Sequence, residues 1–234
     1  MQLDEALAEL QSYGTAQNRK IYVRHGALAD KVFGVSFANL NMMAKRIKRD
    51  HRLAERLWRD GNYDARNLAG KIADPSKMDA AELNEWARAV DNYLHGGTLG
   101  DLAARSPNAK QIINAWTAAD KEFIKHAGYC ALGALLKNDS DALADAETRR
   151  FLDAIEAEIH TSPNWARYGM NWALIAIGTY KATLTDYAVK LAERIGAVQV
   201  DHGQTNCKTP AAAPYIQKAA AHQRKMRAKS NKRK

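Results

Sequence analysis

Apolar residues recur at intervals of three and four along almost the whole chain, the signature of helices that bury one face. Leu3, Ala6, Leu7 and Leu10 mark one such face; Leu40, Met43, Ala44 and Ile47 mark another. The same period predicts helices over 54–58, 65–72, 80–93, 109–116, 121–136, 141–159, 165–180 and 184–195. Turn and cap residues stand between them: Asp60-Gly61-Asn62, Asp74-Pro75-Ser76, Ser106-Pro107-Asn108 and Ser162-Pro163-Asn164. His95-Gly96-Gly97 reads as a loosened turn. The one extended piece, Ala197-Val198-Gln199-Val200, is too short to support a sheet, so the predicted fold class is all-α.

The helices also look alike at their starts. Gly61-Asn62-Tyr63-Asp64-Ala65-Arg66, Phe123-Ile124-Lys125-His126-Ala127 and Trp165-Ala166-Arg167-Tyr168 each set a basic residue two or three positions after an aromatic, before small and apolar residues. Asn92-Tyr93-Leu94-His95 is a degenerate fourth copy. The markers Arg66, His95, His126 and Tyr168 lie 29, 31 and 42 residues apart. Such spacing suits an α-solenoid of HEAT-like antiparallel helix pairs, with a generic helical bundle as the competing arrangement.

At 234 residues and 46% hydrophobic, the chain can build one continuous core without disulfides or a structural metal. Its two cysteines, Cys130 and Cys207, form no Cys-x-x-Cys pair, which fits a reducing compartment. No apolar run approaches the roughly 18 residues of a membrane span. Asp4 and Glu5 stand where a signal peptide would carry bases. A cytoplasmic monomer with no membrane partner is expected.

Charge is unevenly placed. Nine of the 35 Lys and Arg residues, and none of the 26 acids, lie beyond Asp201, so the whole net charge of +9 belongs to the C-terminal end. Residues 1–221 are predicted to form the helical repeat domain and 222–234 a basic, disordered tail. Within the body, Lys45, Arg46, Lys48, Arg49, Arg52, Arg56 and Arg59 recur at helical spacing and can neutralise backbone phosphates along one stripe. The competing reading is a solvated face partly paired with Asp50, Glu55 and Asp60. Lys125 and Arg167, at the repeat starts, join Lys45, Arg46, Lys48, Arg49 and Arg52 as candidate DNA-binding residues.

Other chemistry finds little support. The seven histidines are scattered without His-x-x-x-His or His-Glu-x-x-His spacing, so no metal is expected, and no glycine-rich phosphate loop suggests a cofactor. Cys130 lies in an apolar run and reads as a small buried hydrophobe, whereas Lys208 beside Cys207 can activate a thiol. Trp58, Trp86, Trp116, Trp165 and Trp172, with Tyr93 and Tyr168, suit either a core or stacking on bases, and helical spacing favours the core.

Several strings carry a specific resemblance. Gly34-Val35 through Lys45, followed by Leu57-Trp58-Arg59-Asp60-Gly61 and Asp64-Ala65-Arg66-Asn67-Leu68-Ala69, is similar to the N-terminal repeats of the AlkD-type DNA alkylation repair family. Asn171-Trp172-Ala173-Leu174 through Gly178 resembles a later repeat helix of that family. The stretch from Val200-Asp201-His202-Gly203 through Cys207-Lys208 and Pro210 to Tyr215-Ile216 and Lys218 resembles the C-terminal signature of one branch. The likeness covers roughly Leu3 to Lys218.

The resemblance implies a HEAT-like solenoid whose basic concave face cradles double-stranded DNA, and excision of cationic alkylated purines by cleaving the N-glycosidic bond. That chemistry builds positive charge on the sugar, which aromatic faces and a carboxylate stabilise. The family constellation is a Trp, a carboxylate four residues later, an Arg from the next repeat and a second Trp. By position, Tyr93 stands for the first Trp, His126 for the Arg and Trp172 for the second Trp. Gly97 stands where the carboxylate belongs, with Asp91 and Asp101 expected on other helical faces. Tyr93, His126 and Trp172 are therefore the candidate cleft residues, with His126 able to carry charge beside phosphate. The alternative is a non-catalytic solenoid that binds DNA or protein.

Overall fold

The computed structural model describes residues 1–231. Its helices are α1 (Leu3–Ser12), α2 (Ala16–Arg24), α3 (Phe37–Ile47), α4 (His51–Asp60), α5 (Tyr63–Ile72), α6 (Ala80–Arg88) and α7 (Tyr93–Ala104). They continue with α8 (Ala109–Thr117), α9 (Glu122–Asn138), α10 (Asp145–Glu158), α11 (Asn164–Tyr180), α12 (Thr185–Ile195) and α13 (Ala212–Asn231). An isolated bridge between Gly14 and Val35 is the only strand-like pairing among the described residues, and 197–200 is irregular.

The predicted punctuation works as physical chemistry requires. Gly61, at φ +84°, ends α4 in the left-handed region, and the Asn62 side chain accepts from the Asp64 and Ala65 amides to start α5. Asp50, Asp79 and Asn92 cap α4, α6 and α7 in the same manner. The Asp64 carboxylate, wholly buried, accepts from the Phe33, Gly34 and Val35 amides at 2.7, 3.0 and 3.0 Å and so fixes the loop before α3 to α5.

Helices α3, α5, α7, α9, α11 and α13 lie side by side in one layer; α4, α6, α8, α10 and α12 back them in a second. The result is a HEAT-like solenoid, in which each pair buries its apolar face against its neighbours. Trp58 and Trp86 fill the space between the layers, stacked with centroids 4.4 Å apart, and Trp116 is buried nearby. These three tryptophans follow the core reading.

One predicted helix and one predicted turn are corrected. The run 80–93 divides into α6 and α7, and His95-Gly96-Gly97 is the start of α7 rather than a turn. Glycine is costly in a helix, which hid α7 from its sequence. The reason for it is proximity. A Cβ on Gly96 would lie 2.7 Å from His126 Cδ2, and one on Gly100 would lie 2.7 Å from the Ala127 carbonyl oxygen. Both glycines let α7 and α9 approach closely, as Gly178 does for α11 against Ile216 of α13.

Helix α13 runs through position 222 to Asn231, so the described part of 222–234 is helical. Ala212, Ile216 and Ala220 bury its first turns, and the Ala-, Gln-, Arg- and Lys-rich sequence beyond has good helix propensity. Lys232, Arg233 and Lys234 lie outside the described residues. No described helix is long and apolar enough to cross a membrane.

Candidate nucleic-acid interface

Because α7 is unbroken, Tyr93 and Gly97 are one helical turn apart, but they do not serve one cavity. Tyr93 turns towards α11. Its ring stacks on Trp165 with centroids 4.0 Å apart and planes 5° from parallel, and its hydroxyl lies 3.1 Å from His25 Nδ1. Burial pushes the Tyr93 phenol up to about 12. Tyr168 meets both rings edge to face and meets Trp172 in the same way, so four aromatics form a continuous ridge over α7 and α11.

His126 lies beneath this ridge rather than in a groove. It is 2% exposed, with Nδ1 3.0 Å from the Trp165 carbonyl oxygen and Nε2 3.0 Å from that of Tyr93. A neutral imidazole donates to only one of them. The two carbonyls favour the cation, but burial outweighs them and pushes the pKa down to about 4. The expectation of a charged His126 beside phosphate is therefore corrected: the ring ties the first turns of α7 and α11 together. Cys130 lies 3.5 Å from its Nε2, and burial pushes that thiol up to about 12, so it is an inert filler as expected. Cys207 is exposed.

Gly97 faces a separate groove with Phe37, Asn67 and Lys71, where a Cβ would meet nothing within 4 Å. Asp101 lines the same groove, one turn further along α7, which corrects its expected placement on another face. Its carboxylate pairs with Arg105. Asp91 pairs with Arg66 at 3.1 Å and lies near His95, away from Gly97. The fourth expected residue, Trp172, is half-buried and lines a second groove, between α11 and α13. The expected constellation is thus dispersed over a stack, a buried tie and two grooves.

A segment that sequence reasoning did not single out for this role crosses the ridge. The Asn164 side chain donates to the Asp201 carbonyl at 2.8 Å and accepts from its amide at 2.7 Å. The His202 ring then meets the edges of Trp165 and Tyr168, and its Nε2 lies 3.0 Å from Thr209 Oγ1. Pro210 accepts from the Asn171 side chain at 3.0 Å. The C-terminal string from Asp201 to Pro210 is therefore a strap over the aromatics.

The predicted basic stripe is interrupted. Lys45 and Arg46 end α3 in the first layer, Lys48 and Arg49 lie in the connection, and Arg52 is on α4 in the second layer. Arg46 pairs with Glu9, Arg49 with Asp74 at 3.3 Å, and Arg59 with Glu85 at 3.1 Å. Lys125 reaches back to Glu158 of α10 at 2.7 Å, and Arg167 is half-buried with Nε lacking a hydrogen-bond partner. Lys45, Lys48 and Arg52 make no ion pair among the described residues. Three of the seven stripe residues are thus paired, with Glu9, Asp74 and Glu85 rather than with the expected Asp50, Glu55 and Asp60.

One group the scattered histidines did not suggest is His51, Glu55 and Glu82, whose ligand-type atoms lie within 4.8 Å of one another. The i, i+4 spacing of His51 and Glu55 was the sequence signal. His51 Nδ1 accepts from the Asp74 amide at 3.4 Å, which leaves the ring proton on Nε2, 3.2 Å from Glu82. Arg49, Arg52 and Lys77 line the adjoining cavity. A proton already placed on the inward nitrogen and a cationic rim suit a hydrogen-bonded cluster better than a bound metal ion.

Comparison with known proteins agrees with this architecture. The chain is 28% identical to an uncharacterized protein of Listeria monocytogenes serovar 1/2a over 221 residues, covering 92% of this chain and 96% of the relative. An uncharacterized protein of Listeria innocua serovar 6a is 27% identical over the same span. A solved structure matches with a TM-score of 0.87 and 29% identity over 96% of each chain. It is described as belonging to a new family of proteins related to the HEAT-like repeat DNA glycosylases, with affinity for branched DNA structures. The pattern of the family described as DNA alkylation repair enzyme matches residues 6–216. With that match spanning nearly the whole solenoid, the chain belongs to the DNA alkylation repair enzyme family.

Proposed function

We propose that this protein is a cytoplasmic monomer that binds branched DNA through its phosphate backbone and does not excise bases. The observation that carries this reading is Gly97. Where an excising relative needs a carboxylate, this chain presents open space, and the nearest acid in that groove, Asp101, is held by Arg105. The closed Tyr93–Trp165 stack and the strap across it support the same conclusion, because they leave no slot for a lesion beside Tyr93, where the family's first Trp would act. The affinity described for the structural relative supports a branched target. Lys45, Lys48, Arg52 and the α13 bases Lys218, Arg224 and Lys225 supply phosphate contacts, which confer affinity without reading sequence.

The test compares a four-way junction, a linear duplex and alkylated duplex DNA with the purified full chain. The junction is expected to bind about tenfold more tightly than the duplex, with affinity falling steeply as salt rises. No 7-methylguanine or 3-methyladenine should be released. Equal affinity for junction and duplex, or release of either base, would overturn the proposal.

A further inference from the structure

The groove between α11 and α13 encloses 550 Å³, a size suited to a small organic group. Trp172, Ile175 and Thr179 form one wall and Tyr215, Lys218 and His222 the other. The Trp172 and Tyr215 rings meet edge to face with centroids 5.4 Å apart, and Tyr215 is 43% exposed. Thr179 is 8% exposed, with its hydroxyl oxygen turned away from solvent. The rim is cationic: Lys218 is exposed, and no acid occurs in the sequence after Asp201.

We propose that this groove holds one unpaired nucleotide of a branched DNA. The aromatic walls take the base, and Lys218 with His222 meets the flanking phosphate. Stacking on Trp172 and Tyr215 tolerates any base, since every base has a π-face. A paired base is held inside its duplex and cannot reach the wall, so only an opened branch point or a single-stranded arm supplies the occupant. The cationic rim complements phosphate. An apolar helix of a protein partner would leave the cationic rim of Lys218 and His222 unused. The inference rests on the branched-DNA reading and states which part of the branch is held.

The experiment uses the full chain, a fork with 2-aminopurine at the first unpaired nucleotide, and the same branch with that arm fully paired as the reference. The wild type is expected to bind the unpaired fork about tenfold more tightly than its paired counterpart, with a change in 2-aminopurine emission on binding. Tyr215→Ala should bring that ratio to about one by removing a wall, and Ala219→Trp should do so by filling the groove. Both positions are away from the buried core, and retained circular dichroism confirms folding. A wild-type ratio of one with intact junction binding would overturn the groove alone. An unchanged ratio in both variants would do the same. Failure to bind any branched DNA would overturn the function proposed above and this inference with it.

Discussion

Replacing His126 with glutamine tests how the base of the aromatic ridge is held, and its outcome depends on pH. The buried imidazole has a pKa lowered to about 4 from 6.5, because burial outweighs the two carbonyls that favour the cation. The native state therefore binds this proton less readily than the unfolded chain does. The histidine's contribution is full above about pH 6.5 and is lost as the pH falls towards about 4. With each pKa unit worth somewhat over 1 kcal/mol, the loss is about 2 kcal/mol at pH 5 and approaches about 3 kcal/mol below pH 4. Glutamine has a similar reach, donates an amide N–H to one carbonyl and carries no titrating proton. Urea unfolding of both proteins between about pH 7.5 and 4.5 gives two stability curves, whose difference removes the groups they share. The wild type's advantage over His126→Gln should shrink by about 2 kcal/mol on going from neutral pH to about pH 5. A difference that stays flat would refute the burial argument. A difference that grows on acidification would mean that the two carbonyls hold an imidazolium.

Further outcomes follow from neighbouring features. Asp64→Ala strands three amides of the loop before α3 and should cost about 3–5 kcal/mol, read from the urea midpoint. Within α7, Gly97→Ala should stabilise by about 0.5–1 kcal/mol, whereas Gly100→Ala, driven against α9 backbone, should destabilise by about 1–3 kcal/mol in thermal melts. Trp58→Ala should cost about 3–5 kcal/mol without a specific effect on DNA, and the half-buried Trp172→Ala should cost less than about 2 kcal/mol while weakening fork binding. Changing both Arg224 and Lys225 to Gln should lower the slope of log affinity against log salt by about 0.9 for each base that touches phosphate.

Much of this molecule is decided locally, and that part is readable along the chain. Apolar spacing and caps such as Gly61-Asn62 set the helices, because a helix's buried face and its terminal hydrogen bonds depend on residues a few positions apart. The repeated helix starts and the family strings then predict the solenoid and the affiliation that the match over 6–216 bears out. The site is different. Tyr93, His126 and Trp172 were visible as types at suitable spacing, but their roles depend on partners 33 to 72 residues away: Trp165 under Tyr93, two carbonyls around His126, and Tyr215 beside Trp172. Helix α7 was hidden because its glycines are unfavourable locally, and Gly96 and Gly100 are favoured only because α9 comes close. The basic stripe dissolved because acids from other segments claim Arg46, Arg49 and Arg59. Burial, pairing and access arise when distant segments meet, so the tertiary structure decided which of the legible residues are wall, tie or open groove.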